Sequence, residues 1–360
     1  MKKSIAIICE YILIPERIGG MDRFFVAYDT ALKKNKYDVT WFFKNVEHFD
    51  FYKDLNIISA NNEDIESFFL SHCKSNQLQF EIVITHFLQP ISSFYKQVNN
   101  LMNPYIINVD HNPRPIEGFT FKKQLKNRIK GLLYGKYVDK LVGVSNYTTN
   151  YIIKDFGNHL GHKTTTVYNG IDINTYKKQQ FDKTELPIQF LVVSHLRESK
   201  GIQDLLAALH KIDRNLLKNL HIDIYGDGPY KQQLLDLQEE FSLNDIVHFK
   251  GSSSKLNELF RNYQYLIQPT YMECFSLSIL ESLASNVPVI TTTVGGNLEI
   301  IVDNVNGYIF KPKDVQALAN IITDIIRGDI NIISDVSSKI EQEFTLDIMV
   351  ANHLKLLECI

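Results

Sequence analysis

Short apolar runs alternate with segments of helical periodicity along the whole chain. In the first half, runs that predict buried parallel strands lie at residues 5–8, 39–43, 82–85, 105–109 and 140–144. In the second half, equivalent runs lie at residues 188–193, 221–225, 246–249, 263–267 and 287–291. The intervening segments have the pattern of covering helices. Two successive strand–helix series predict an α/β protein with two doubly wound, Rossmann-like parallel-sheet domains.

The boundary between these domains is predicted at a polar segment. Residues 173–187 are rich in lysine and glutamine and end at Pro187, so they are interpreted as a linker. The N-terminal domain would then span residues 1–172 and the C-terminal domain residues 188–343. Helical periodicity returns over residues 344–357, which predicts one further helix.

A basic segment at residues 122–140 has two interpretations. It carries seven basic residues against one acid, Asp139, and its apolar stripe contains Leu125, Ile129, Leu132 and Leu133. A basic amphipathic helix of this kind can lie on an anionic membrane surface. The alternative is an ordinary packing helix with a solvated cationic face, and the pattern leaves both open.

Composition narrows the class of protein. The chain has 360 residues, of which 44% are hydrophobic and 22% charged, as expected for a soluble protein with two domains. No apolar run approaches the roughly 18–20 residues that a spanning helix needs. The basic start followed by apolar residues superficially suggests a signal peptide. However, the apolar stretch stops at Glu10 without a small-residue cleavage site, so we predict a buried first strand.

Charge and cysteine content exclude further classes. The formal net charge of −3 argues against nucleic acid as the main partner. The four cysteines are scattered without metal-ligand spacing, which indicates no structural zinc and a reducing, cytoplasmic setting. The chain also has no Asp-x-Asp pair to hold a divalent ion against a diphosphate. An enzyme acting on a nucleotide sugar would therefore be metal-independent and neutralise the leaving group with protein donors.

Two glutamates flank a predicted helix start in the second half. The apolar run at 263–267 leads into a polar loop, and a helical pattern begins near Ser276. Backbone N–H groups at the start of a helix, together with its dipole, attract an anion such as a diphosphate. The groups concerned belong to Cys274, Phe275, Ser276 and Leu277. Glu281 could accept hydrogen bonds from a ribose and Glu273 could hold sugar hydroxyls; alternatively, Glu273 caps the helix and Glu281 is an exposed helix residue.

Two features of the first half also follow predicted strands. Gly19 and Gly20 precede an amphipathic helix, where glycine lets the backbone approach a ligand closely, although a tight turn without a ligand would look the same. The pattern is not Gly-x-Gly-x-x-Gly, which disfavours a dehydrogenase. His111 follows the run at 105–109, at the end of a strand where open α/β sheets bind ligands. A structural role for His111 is the alternative.

Taken in order, these motifs resemble the family 4 retaining glycosyltransferases, which have the GT-B fold. The glutamate pair matches the Glu-x7-Glu motif of that family. Further matches are Gly-Gly-Met-Asp-Arg-Phe at 19–24, Asn-Val-Asp-His at 108–111, Val-Ser-Asn at 144–146, Val-Tyr-Asn-Gly-Ile-Asp at 167–172, the segment 192–201, Tyr-Gly-Asp-Gly-Pro at 225–229, Val-His-Phe-Lys-Gly at 247–251, Val-Gly-Gly-Asn-Leu-Glu-Ile-Ile at 294–301 and Asn-Gly-Tyr at 306–308. Each is weak alone, but the ordered set covers nearly the whole chain.

The resemblance implies two Rossmann-like domains facing a central cleft. The N-terminal domain would bind the acceptor, the C-terminal domain the nucleotide sugar, and the helix over 344–360 would cross back to the first domain. Glu281 would contact the ribose, and Glu273 with the Phe275–Leu277 backbone would lie near the sugar. Arg197, Lys200 and the helix N-terminus would hold the diphosphate.

The resemblance implies that His111 and Glu273 are the catalytic residues, and that His111 faces the transferred sugar and helps to stabilise positive charge at its anomeric carbon. The Gly19–Gly20 loop would lie beside the donor phosphate and the acceptor. The chain departs from the family pattern at the phosphate site. Arginine usually follows glycine directly, whereas here His195 takes the nearest position and Arg197 follows two residues later. Which of the two donates is left open, and Lys200 could also be an ordinary surface lysine at a helix start.

The predicted function is therefore a retaining glycosyltransferase. It would move a sugar from a UDP- or GDP-sugar to a glycan or lipid-linked acceptor in surface polysaccharide or lipopolysaccharide assembly. The protein would be cytoplasmic, or peripheral on the inner face of the membrane through residues 122–140. A nucleotide-sugar epimerase of the same fold and a non-catalytic nucleotide- or glycan-binding subunit are the alternatives.

Overall fold

The computed structural model describes residues 2–15, 18–47, 49–179, 186–253, 255–358 and 360. The chain divides into two compact units. Unit 1 comprises Met1–Asn169 and Leu346–Ile360, and unit 2 comprises Gly170–Thr345. The predicted first domain and linker therefore both contribute residues to unit 2, since 170–179 and 186–187 lie there. Residues 180–185 of the predicted linker, and Cys359, are outside the described residues.

The described residues of unit 1 form a parallel sheet of seven strands. They are β1 (Ser4–Leu13), β2 (Asp38–Val46), β3 (Ile57–Ser59), β4 (Ile82–His86), β5 (Tyr105–Asp110), β6 (Lys140–Gly143) and β7 (Thr164–Thr166). Their order is β3-β2-β1-β4-β5-β6-β7. The order reverses between β1 and β4, and both strands are buried along most of their length because helices cover both faces.

Unit 2 repeats the scheme with six strands among its described residues. They are β8 (Ile188–Val193), β9 (Leu220–Tyr225), β10 (Val247–Gly251), β11 (Tyr265–Gln268), β12 (Val289–Thr292) and β13 (Gly307–Phe310). Their order, β10-β9-β8-β11-β12-β13, reverses between β8 and β11. All strand pairs in both sheets are parallel, and ligands of such open sheets bind at the carboxyl ends beside the reversal.

Helices connect and cover the strands. In chain order they are α1 (Gly20–Lys34), α2 (Ile65–Ser75), α3 (Ser93–Met102), α4 (Phe121–Tyr134), α5 (Asn146–Phe156), α6 (Ile202–His210), α7 (Arg214–Leu217), α8 (Lys231–Glu240), α9 (Leu256–Leu259), α10 (Leu277–Ala284), α11 (Asn297–Ile300), α12 (Val315–Arg327), α13 (Ser338–Glu343) and α14 (Leu346–Lys355). Over the described ranges, none of them is both long enough and apolar enough to cross a membrane.

The final helix, α14, belongs to unit 1 although it follows unit 2 in the sequence. It packs on α1 through His353. The His353 ring lies 4.8 Å from the Phe24 ring and 5.5 Å from the Tyr28 ring, and all three side chains are buried. An aromatic contact therefore fixes α14 against the first helix of the chain.

The strand pattern of the sequence is reproduced with additions at the edges. Each of the ten predicted runs overlaps a strand, and the prediction of two Rossmann-like parallel-sheet domains is confirmed. The strands that the pattern missed are β3, β7 and β13, and each lies at the edge of its sheet. Edge strands are covered on fewer sides, so β7 can consist of three half-buried threonines.

The predicted basic helix over 122–140 is shorter than expected. α4 ends at Tyr134, a 3₁₀ turn occupies Gly135–Tyr137, and Lys140 begins β6. The backbone N–H of Asp139 already donates to the carbonyl of Ile106 in β5, at 2.9 Å. Near residue 139, hydrogen bonds to the neighbouring strand therefore replace the helical hydrogen bonds that the sequence pattern predicted.

Candidate functional site

In unit 2, two loops meet at the point where the strand order reverses. The loop at 194–201 follows β8 and the loop at 269–276 follows β11, and the two strands are neighbours. The N–H of Tyr271 donates to the carbonyl of Ser199 at 2.8 Å, which joins the two loops. The predicted residues Arg197, Lys200 and Glu273 all lie on them.

Two glycines hold the loop at 269–276 from both sides. Gly201 has φ +70°, and a Cβ there would lie 1.9 Å from the carbonyl oxygen of Pro269. Gly295, in the loop after β12, has φ +66°, and its Cβ would lie 2.1 Å from the carbonyl oxygen of Glu273. Neither site accepts a side chain without moving backbone. These glycines therefore fix the position of the loop that carries Glu273.

Lys200 and Glu273 form an ion pair in this corner of unit 2. Lys200 Nζ lies 2.9 Å from Glu273 Oε2, and the side chains are only 24% and 14% exposed. The other carboxylate oxygen, Oε1, accepts the N–H of Cys274 at 3.1 Å. The carboxylate is thus oriented by a cation on one oxygen and a backbone amide on the other. A site with one oriented carboxylate and one partly buried ammonium can bind a polar, anionic ligand.

The cap of α10 is Ser276, three residues after Glu273. Ser276 Oγ accepts the N–H of Ile279 at 3.4 Å and a hydrogen bond from Gln268 Nε2 at 2.5 Å. The alternative in which Glu273 caps this helix is therefore wrong. Cys274, Phe275 and Ser276 are largely buried, and Leu277 is the first helical residue. Their position at the start of α10 is the one that the anion hypothesis requires.

Glu281 lies one turn along α10 and is half-buried. Its Oε1 accepts a hydrogen bond from the hydroxyl of Tyr176 at 2.9 Å. The alternative of an ordinary exposed helix residue is therefore wrong as well. Tyr176 was assigned to the linker, and nothing in the sequence connects two positions 105 residues apart. This hydrogen bond fixes the orientation of the Glu281 carboxylate.

Arg197 and His195 both lie on the loop after β8 with exposed side chains. Arg197 immediately precedes the 3₁₀ turn Glu198–Lys200. The structure brings both residues to the same loop as Lys200. Which of them takes the phosphate-binding role stays a prediction.

In unit 1, Gly19 and Gly20 form the start of α1. Gly19 precedes the helix, and its N–H donates to Asp22 Oδ2 at 2.7 Å. The buried Asp22 carboxylate also accepts the hydroxyl of Tyr11, at 3.1 Å, and that of Tyr52. The Asp22 carboxylate therefore binds the backbone at the N-terminus of α1 from inside the unit. The Gly19–Gly20 loop lies beside the strand-order reversal of the first sheet.

His111 follows β5 and is held by two neighbours. Its Nε2 lies 3.1 Å from His86 Nδ1, and its ring stacks on Phe87 with centroids 4.1 Å apart. The His86 ring in turn stacks on that of His353, at 6.0 Å. We call His86, His111 and His353 the histidine cluster; all three are buried, and His111 is 7% exposed.

Burial keeps the histidine cluster neutral. It lowers the pKa of His111 to about 3 and that of His353 to about 4, and it also lowers the pKa of His86. For His86 and His111, neighbouring imidazoles lower the pKa further because two like charges disfavour each other at short range. At neutral pH His111 therefore acts as a hydrogen-bonding imidazole and not as a cation.

Sequence reasoning missed two members of this cluster. His86 ends β4 as His111 follows β5, and the two strands are neighbours whose register pairs His86 with Val109. Residues at the ends of adjacent parallel strands meet, so this signal was present in the sequence. His353 carries no such signal because it arrives from α14.

Asp110, beside His111, is part of the scaffold of the loop after β5. Its carboxylate pairs with Arg114 Nη2 at 2.7 Å and accepts the N–H of Asn112 at 2.9 Å. Arg114 Nε also donates to Asp155 of α5, at 3.0 Å. A buried ion-pair chain thus ties the loop that carries His111 to a helix. Within the described parts of the chain, no group of three or more His, Cys, Asp or Glu side chains is arranged to hold a metal ion.

Comparison with known proteins agrees with the geometry. Residues 174–339 match the family described as glycosyl transferases group 1. An uncharacterized glycosyltransferase of Methanocaldococcus jannaschii is 24% identical over 301 residues, which cover 74% of this chain and 82% of that protein. The N-acetyl-alpha-D-glucosaminyl L-malate synthase of Bacillus anthracis is 30% identical over 177 residues, 46% of this chain and 44% of that protein.

Among solved structures, the crystal structure of HepE from Anabaena in complex with UDP covers 100% of both chains with a TM-score of 0.78 at 17% identity. At this identity the likeness concerns the fold alone, and it confirms the predicted GT-B fold. The family match spans most of unit 2, including Lys200, Glu273 and Glu281. Residues 174–339 therefore resemble the glycosyl transferases group 1 family, and the chain as a whole has the GT-B fold.

Proposed function

We propose that the chain is a retaining glycosyltransferase of family 4 that takes its sugar from a nucleotide diphosphate sugar bound by unit 2. The observation that carries this proposal is the Lys200–Glu273 ion pair, at 2.9 Å, beside the start of α10. A cation, helix N–H groups and an oriented carboxylate are the groups that a sugar diphosphate requires. HepE, which shares the fold, binds UDP.

Each group in unit 2 has an assigned role. Lys200, with Arg197 or His195, neutralises the diphosphate as it departs, together with the amides of residues 275–277, while the Cys274 amide holds Glu273 in place. Glu273 accepts hydrogen bonds from sugar hydroxyls, and Glu281, oriented by Tyr176, accepts them from the ribose. Donors that are already aimed at the leaving group stabilise the charge that grows there without reorganisation. The protein groups thus perform the neutralisation, and no metal ion is required.

For unit 1, we assign His111 and the Gly19–Gly20 loop to substrate contact. A neutral His111 can exchange a hydrogen bond with a sugar hydroxyl. In the transfer, the bond between the anomeric carbon and the phosphate oxygen breaks, and a bond to the acceptor oxygen forms on the same face. The acceptor's proton passes to the leaving phosphate. Anomeric configuration is then retained without a covalent enzyme intermediate.

Calorimetric titration tests the donor site. We expect UDP or GDP to bind in the presence of a chelator, and Lys200→Met to weaken binding at least about tenfold, which corresponds to ~1.4 kcal/mol. The matched control is Lys211→Met, because Lys211 is an exposed lysine of the same unit just after α6. Equal affinities for Lys200→Met and wild type would refute the donor assignment.

Transfer is tested with a panel of nucleotide sugars and simple glycan or lipid-linked acceptors. Glu273→Gln removes a charge with little change of shape, and we expect it to reduce turnover at least about tenfold while nucleotide affinity stays near wild type. Anomeric proton coupling of the product reports retention or inversion. Appearance of an epimerised free sugar without acceptor would instead identify an epimerase, and nucleotide binding without any turnover would identify a non-catalytic subunit.

A further inference from the structure

Helix α4 presents its apolar residues outward. Among the described residues, twelve large apolar side chains are exposed, and five of them lie on this one helix. Phe121 is 81% exposed and Leu132 71% exposed. Those five are Phe121, Leu125, Ile129, Leu132 and Leu133. A surface helix normally turns such residues towards the core, so α4 has the reverse orientation.

The rotation of α4 is fixed by the residues that it buries. Only Asn127 and Gly131 of α4 are buried. A Cβ on Gly131 would lie 1.8 Å from the carbonyl oxygen of Phe156 at the end of α5, so no larger residue can occupy that contact. At 100° per residue, the centre of the exposed apolar residues lies nearly opposite Asn127 and Gly131. The close α4–α5 contact therefore forces the apolar stripe into solvent.

Basic side chains accompany the stripe. The sequence of α4 carries Lys122, Lys123, Lys126, Arg128 and Lys130 and no acidic residue, in a chain whose net charge is −3. Lys122, Lys126 and Lys130 also line a groove of about 460 Å³ between α4 and the start of α3, with Leu125, Ile129 and Leu133 as its apolar lining. A groove lined by both apolar side chains and ammonium groups can bind an acyl chain attached to an anionic headgroup.

We propose that α4 is a docking surface for bilayers that contain anionic phospholipid. The helix lies in the plane of the interface, with Phe121, Leu125 and Leu132 among the acyl chains and its lysines at the headgroups. A second copy of this chain is a poor occupant, because a symmetric pairing of α4 helices would bring five positive charges against five. The charge of the helix favours a surface that is itself negative.

Vesicle co-sedimentation of the full chain tests the proposal. We expect binding to phosphatidylcholine vesicles that contain about 30% phosphatidylglycerol, little binding to pure phosphatidylcholine, and release at about 0.5 M NaCl. Replacing Lys122, Lys126 and Lys130 together by Gln should weaken binding by about 100-fold, at about fivefold per lysine. Binding to both vesicle types alike, or to neither, would overturn the proposal.

Two further variants separate docking by α4 from general electrostatic attraction. The control replaces Lys34, Lys53 and Lys211, which are exposed lysines outside the sequence of α4, by Gln and removes the same charge. It should bind as wild type does, and a loss equal to that of the α4 variant would overturn the assignment. Leu125→Gln with Leu132→Gln should also lose binding. If this pair instead converts a dimer to a monomer in light scattering, the surface is a protein interface and the proposal fails.

A site-specific signal comes from Phe121→Trp. The chain has one natural tryptophan, Trp41, which is fully buried in β2. Lipids brominated on their acyl chains quench only indoles that enter the bilayer, so we expect them to quench the new tryptophan and leave Trp41 unchanged. Unquenched emission at position 121 on vesicles that sediment the protein would contradict insertion of α4.

Discussion

Acid should destabilise unit 1 through the histidine cluster. A histidine whose pKa is lowered in the folded state binds a proton more readily when unfolded, so stability is complete above the unfolded pKa and falls with pH below it. Burial lowers the pKa of His111 to about 3 and that of His353 to about 4. Relative to an unfolded pKa of ~6.5, each contributes a loss of about 2 kcal/mol between about pH 7.5 and about pH 5. His86 acts in the same direction.

The measurement is urea unfolding followed by tryptophan fluorescence. Trp41 is the only tryptophan of the chain and lies within unit 1, 5.4 Å from the ring of Phe25, so its emission reports that unit. We expect His111 and His353 together to lower the free energy of unfolding by about 4 kcal/mol over this pH range. A free energy that is the same at both pH values would refute the assignment of neutral buried imidazoles.

A pair of variants isolates the cluster from other titrating groups. His353→Phe keeps an aromatic ring against Phe24 and should reduce the pH-dependent loss by about 2 kcal/mol. The exposed His162, replaced by Gln, is the matched control and should change nothing. Glu66 and Asp155 in the same unit have raised pKa values and act with the opposite sign, but they are common to all variants and cancel in the comparison.

Three further substitutions have defined outcomes. Gly295→Ala should destabilise unit 2 by about 1–3 kcal/mol in circular-dichroism unfolding and weaken UDP binding, because the loop that carries Glu273 must move. Unchanged affinity would contradict the role of Gly295 in positioning that loop. Tyr176→Phe should weaken nucleotide binding severalfold, equivalent to about 0.5–1.5 kcal/mol, and calorimetry showing no change would remove the ribose role of Glu281. Asp22→Ala should destabilise unit 1 by at least about 2 kcal/mol in Trp41 fluorescence, since three donors lose their acceptor; wild-type stability would contradict this role.

The sequence predicted the fold well wherever burial dictates the pattern. Central strands such as β4 and β5 are covered on both faces, so their apolar runs are continuous and their positions could be predicted. At the edges, burial no longer dictates residue type, and the threonines of β7 resemble a loop. The length of α4 was overestimated for a related reason. Hydrogen bonds to the neighbouring strand determine where the helix ends, and the helical periodicity of the sequence does not reveal them.

For the candidate site, the sequence indicated the loops but not their partners. Lys200 and Glu273 were each assigned to the diphosphate sugar, and the structure adds that they contact each other. The Tyr176–Glu281 bond and the arrival of His353 beside His86 depend on tertiary packing over long sequence separations, which no local pattern encodes. The outward rotation of α4 could be predicted only in part. Its apolar stripe is visible in the sequence, but only the contact at Gly131 shows that the stripe faces solvent.

The position of α14 imposes an order on biosynthesis. This helix completes the aromatic surface of α1 around Phe24 and Tyr28, yet it is translated after all of unit 2. At roughly 5–20 residues per second, a ribosome needs about 10–35 s to pass through the intervening residues. During that interval the nascent first unit displays an uncovered patch of rings. We expect fragments that end before residue 346 to be less soluble than the full chain, because this aromatic surface stays exposed in them.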